Sequence, residues 1–72
     1  MKRVDTELLN KRIDESGLKK VFLAEQLGIT TQALNDKING KTPFRKSEIF
    51  VLCYFTGITD NDEKAKIFFP ER

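Results

Sequence analysis

Glycine punctuates this chain at Gly17, Gly28, Gly40 and Gly57, and the apolar residues between them recur at helical spacing. No stretch long enough to make a sheet favours strands over helices, so the expectation is all-α, a compact five-helix bundle. From Thr6 to Ser16, Leu9 and Ile13 lie four apart with Leu8 beside them, and Gly17 can take the left-handed conformation that closes a helix. Lys20 to Leu27 puts Leu23, Ala24 and Leu27 on one side before Gly28. Thr30 is placed to cap a third helix, Leu34 and Ile38 give it a narrow inward stripe, and Asn39-Gly40 ends it. Pro43 blocks continuation, and a fourth helix spans about Lys46 to Thr56 with Ile49, Leu52, Cys53 and Phe55 toward the core. The spacing of Thr59 and Asp62 resembles a capping box. With an acidic first turn of Asp60, Asp62 and Glu63, it predicts a fifth helix to about Ile67.

At 72 residues the chain is read as a single domain, residues 1–72, with a modest core, so any apolar patch left outside it is informative. Cys53 is the one cysteine and there is no histidine, which excludes an internal disulfide and a His/Cys metal constellation. Nowhere do 18 apolar residues run together, and the opening MKRVDTELLNKR has no apolar run behind its charges. The expectation is a soluble, cytoplasmic chain with no cofactor, no metal, no membrane and no small-molecule substrate. Nothing suggests an enzyme: there is no histidine base, no phosphate-cradling glycine loop and no carboxylate pair with an evident cleft.

The net charge of +2 is small, but its distribution is uneven. Residues 1–18 balance four basic against four acidic side chains. Residues 19–46 set Lys19, Lys20, Lys37, Lys41, Arg45 and Lys46 against Glu25 and Asp36, and the remainder is acidic. A basic middle suits phosphate contact or an ordinary solvated face equally well.

Within that middle, Ala24 permits close approach of the second and third helices, Gly28 makes the turn, and Ile29 with Leu34 locks the angle from inside. The pattern predicts a helix-turn-helix at about residues 20–39. Packing uses Leu34 and Ile38 and leaves Thr31, Gln32, Asn35, Asp36 and Asn39 free. Amides bond bidentately to adenine, a carboxylate accepts from cytosine, and threonine meets a thymine methyl or a polar base edge. A wet helix face would also be polar, and that reading stands beside base recognition.

The string LAEQLGITTQALNDKINGKTPFRKSEI resembles the helix-turn-helix of the lambda-repressor and Cro-like family. It is most similar to the small lytic-side regulators of lactococcal-type temperate phages, which include modulators of repression of the antirepressor type. NDKINGKTPF, SEI and the terminal IFF carry that likeness, which spans roughly residues 8–69. The resemblance implies Thr30 as the cap of the recognition helix, Thr31 and Gln32 as its first base readers, and Asn35 or Asp36 as the next. It implies that Asn39 and Lys41 approach the DNA backbone after the helix and that Lys20, standing where the family carries a glutamine, meets a phosphate; Thr30, Arg45 and Lys46 join them here as further candidate phosphate contacts. Position 19 lacks the usual capping hydroxyl, and Lys37 replaces a commonly apolar residue, as in the phage subset. The implied partner is double-stranded operator DNA, with a homodimer and a lone monomer both open.

Asp36 amid phosphates is costly unless it finds a donor, and it also fits a basic protein partner such as the phage repressor. Phe50, Val51 and Tyr54 lie off the expected core stripe and Phe22 sits at a commonly exposed position, so these with Asp36 form a candidate protein interface. The alternative is that Phe68 and Phe69 fold back and cover them.

Overall fold

The computed structural model describes residues 4–70, in which five helices follow one another: α1 Thr6–Ser16, α2 Lys20–Leu27, α3 Thr31–Ile38, α4 Lys46–Thr56 and α5 Asn61–Phe68. Among the described residues there is no strand, and no helix is long and apolar enough to cross a membrane. Each of the first four helices ends where the glycine and asparagine signals place the end, and α5 runs one residue beyond Ile67.

A single apolar cluster takes at least one residue from every helix. Leu9, Ile13, Leu23, Leu34, Ile38, Leu52, Ile58 and Ile67 are fully buried, with Ala24, Cys53 and Phe68 beside them. Leu27, Ile29, Ile49 and Phe55 are partly buried against that cluster. Each full burial of a Leu or Ile contributes about 1.5–3 kcal/mol against the conformational entropy of the chain. Burial pushes the Cys53 thiol above its ordinary range, with Glu63 adding to the rise and Lys64 opposing it. The result is a protonated, inert side chain in the core.

Two turns orient α3. Gly28, at φ 73°, donates to the Glu25 carbonyl at 3.1 Å while Ile29 N–H reaches the Ala24 carbonyl at 3.0 Å, which reverses the chain within three residues of α2. Gly40, at φ 81°, repeats the device after α3: its N–H bonds the Lys37 carbonyl at 3.1 Å and Lys41 N–H bonds the Asp36 carbonyl at 2.8 Å. From the other side, the Thr6 hydroxyl donates to the Ile38 carbonyl at 2.7 Å and ties α1 to the last turn of α3.

Lys37 explains itself once α4 is in place. Its Nζ lies 3.1 Å from Glu48 Oε1 and donates to the Pro43 carbonyl at 3.0 Å, so it pins the α3–α4 connection from within. Glu48, only 7% exposed, also accepts the Arg45 N–H at 2.8 Å. Burial alone would raise the Glu48 pKa. The Arg45 backbone bond, the Lys37 hydrogen bond and charge, and the Arg45 charge outweigh burial, and the carboxyl ends below its ordinary value.

Two expectations need correction. The cap of α5 is Asp60, whose Oδ2 accepts from Glu63 N–H at 3.3 Å, and not a box of Thr59 with Asp62. An aspartate at this position caps at least as well as threonine and adds charge complementary to the helix dipole. Nor do Phe68 and Phe69 fold back over the outward aromatics of α4, since Phe50 and Tyr54 stay exposed. Phe68 stacks edge-on against Phe44 at 5.4 Å between centroids. Phe69 lines a groove with Val4, Pro43, Phe44 and Ile49, because the Asp5 N–H to Ile67 carbonyl bond of 2.7 Å holds the end of α5 beside the start of α1.

Asp60→Ala should lose about 1 kcal/mol in urea unfolding, and Thr59→Ala should stay within about 0.5 kcal/mol. Lys37→Met strands the Glu48 carboxylate and should cost about 3 kcal/mol. The folded pKa of Glu48 is depressed, so its contribution is complete above the ordinary value of 4.5 and is lost as pH falls through the folded value. Thermal melts of Glu48→Gln should accordingly lose less on acidification below pH 4.5 than melts of the unaltered protein.

Candidate functional site

The front half of α3 is built to be steady and uncovered at once. Thr30 precedes it in an extended conformation, and its hydroxyl accepts the Ala33 N–H at 3.0 Å. Leu34 and Ile38 fix the helix from inside, and at helical spacing Gln32 and Asp36 lie opposite them while Thr31 and Asn35 lie along one flank. Gln32 is exposed while Thr31, Asn35 and Asp36 are half-buried. Gln32 Nε2 donates to Asp36 Oδ1 at 3.1 Å, one turn further along. Sequence reasoning treated these two as separate readers, although their i, i+4 spacing was itself the signal for a pair.

The predicted cationic residues lie at the starts of α2 and α4 and in the turn after α3. Lys19 and half-buried Lys20 sit at the N-terminus of α2, and Arg45 with Lys46, both exposed, sit at the N-terminus of α4. Positive charge there opposes the helix dipole, and α2 in addition has no side-chain cap. By contrast α1 carries Glu7 in its first turn and α5 carries Asp62 and Glu63, as the dipole favours, and α4 offsets its basic start with Glu48, which accepts the Arg45 N–H. In the first turn of α2 no acidic residue offsets Lys19 and Lys20. Asn39 and Lys41 are exposed immediately after α3, where the Gly40 turn places them, and Thr30 is exposed as well.

A second candidate surface is aromatic. Phe50 and Tyr54 are 70% and 74% exposed on the outer side of α4, with Val51 half-buried next to them. Tyr54 packs edge-on against Phe55 at 5.2 Å, and Phe55 in turn meets Phe22 of α2 at 5.5 Å. Val21, 54% exposed at the start of α2, is a further uncovered apolar side chain and was not among the residues expected in this interface. α2 packs against both α3 and α4, and so lies between the polar arc and the aromatic stripe.

No protein-family model, no curated protein and no solved structure matches the chain.

Removing an outward aromatic should leave the fold intact. Phe50→Ala is expected within about 0.5 kcal/mol of the unaltered protein in chemical denaturation. Leu52→Ala, from the opposite side of the same helix, should cost about 2–5 kcal/mol.

Proposed function

We propose that the chain is a phage-type transcriptional regulator of the lytic/lysogenic switch, of the lambda-repressor and Cro-like kind, acting in the bacterial host cell. In this reading α2, the glycine turn and α3 form a helix-turn-helix, and α3 enters the major groove of double-stranded operator DNA. Thr31, Gln32, Asn35 and Asp36 turn toward base edges. Lys20, Thr30, Asn39, Lys41, Arg45 and Lys46 meet the phosphates on either side. The observation that carries it is the conjunction at α3: a helix whose buried side chains are Leu34 and Ile38, capped at the front by Thr30, with Gln32 and Asp36 opposite the core and half-buried Thr31 and Asn35 beside them. Phosphate contacts position such a helix, and base contacts specify the sequence it prefers. Lysines and arginine at helix starts, set against the dipole, suit a polyanion near those starts. A homodimer would address half-sites about 34 Å apart, one turn of duplex.

A second reading has its own observation. Phe50, Tyr54 and Val21 stand uncovered, which favours a protein partner for this surface. Here the chain is an antirepressor that docks on the N-terminal domain of the phage repressor and blocks or redirects its DNA binding. Its contact surface is the aromatic stripe, or the α3 arc with Asp36 toward a basic patch.

A titration of the protein against its own promoter region and against random duplex, at two salt concentrations and with or without the repressor, separates the two. Selective binding that weakens steeply with salt supports the regulator. Silence on DNA alone, with a change in the repressor's own binding that Phe50→Ala or Tyr54→Ala abolishes, supports the antirepressor. Under the first reading Lys20→Ala should weaken all duplexes alike and lower the salt slope by about one, whereas Gln32→Ala should lose roughly 1–3 kcal/mol at one base position.

A further inference from the structure

Gln32 and Asp36 face each other across one turn of α3, and the Gln32 amide nitrogen donates to the Asp36 carboxylate at 3.1 Å. We propose that Asp36 is a positioning residue, and that by holding Gln32 it makes this side chain a reader of adenine. The inference rests on the DNA-reading function above and deepens it.

A free glutamine amide is ambiguous at a base edge. Turned one way it offers N–H and C=O, which match the N7 acceptor and N6 donor of adenine; turned to lead with its NH2, it satisfies the N7 and O6 acceptors of guanine. Asp36 removes that ambiguity. A carboxylate only accepts, so the amide nitrogen must lie on its side, and the flipped amide would set two acceptors against each other. One Nε2–H is consumed by Oδ1. What remains is a single N–H beside the Oε1 acceptor, the complement of adenine. On guanine, Oε1 would oppose O6, with the Asp36 charge behind it repelling the same acceptors. The amide is also oriented before any duplex arrives, so less freedom is lost on contact.

The same pairing accounts for an acid in a position where it would otherwise confront phosphates. Asp36 has a donor already, and its carboxylate is committed along the helix.

Selection from a random duplex library, run with the unaltered protein, Gln32→Ala, Asp36→Ala and Asp36→Asn, tests the proposal. Far-UV circular dichroism confirms that each variant folds. The unaltered protein should enrich a motif with adenine fixed at one position, and Gln32→Ala should flatten that position. Asp36→Ala should keep the rest of the motif while its preference for adenine over guanine at that position falls about tenfold. Asp36→Asn, whose amide can offer Gln32 either an acceptor or a donor, should give a preference between those of the unaltered protein and Asp36→Ala. Undiminished adenine preference in Asp36→Ala overturns the positioning role and leaves DNA reading in place. Loss of a different base position in Asp36→Ala also overturns it, since Asp36 would then be reading for itself. An unaltered protein that enriches no motif, with or without the repressor, removes the DNA-reading function and the proposal together.

Discussion

An eight-residue helix has almost no stability in water by itself, and α2, α3 and α5 are each that long. They exist because the core takes hold of them, and the way it takes hold determines what is left for function. α3 illustrates the constraint. Its hydrophobic grip is Leu34 and Ile38, one turn apart, and its polar restraints lie at the C-terminal end: the Thr6 hydroxyl on the Ile38 carbonyl, and Lys37 between Glu48 and the Pro43 carbonyl. At the front the Thr30 hydroxyl accepts the Ala33 N–H. Anchoring and presentation are thus divided around the helix, with Gln32 and Asp36 opposite Leu34 and Ile38.

How much of this was legible depends on the range of the interaction. Helix ends are local events, decided by a glycine in the left-handed region and a few backbone bonds, and Gly17, Gly28, Gly40 and Gly57 announce them one by one. The α5 cap misled because Thr59 and Asp60 are adjacent and both are good caps. Which of the two leaves the helix is settled by how the α4–α5 connection packs, with Ile58 buried just before it. The Lys37–Glu48 pair joins residues on different helices, and no periodicity in either segment points at the other. The fate of Phe68 and Phe69 is of the same kind, since it follows from where the Asp5–Ile67 bond brings the chain ends. Residues for the candidate site were legible as a set, because α3 has only two inward positions. The link between Gln32 and Asp36 lay in the spacing and went unread, since each residue had a role of its own to suggest.

The two surfaces differ in the kind of partner they suit. The α3 arc offers amides, a hydroxyl and a carboxylate, groups whose worth depends on the geometry of what they meet. The α4 stripe offers aromatic area, which rewards any partner that excludes water from Phe50 and Tyr54. Because α2 touches both helices and carries Lys20, Val21 and Phe22 in succession, a partner large enough to cover one surface reaches the border of the other.

The two perturbed ionisations have a shared outcome. Glu48 is displaced toward acid and Cys53 toward base, each away from neutrality, in a sequence that holds no histidine. Around neutral pH the Glu48 carboxylate therefore stays charged against Lys37 and the Cys53 thiol stays protonated. The pin between α3 and α4 and the core behind it accordingly hold the same form while acidity drifts on either side of neutrality, and the turn that follows α3 is set by a contact that pH does not loosen there.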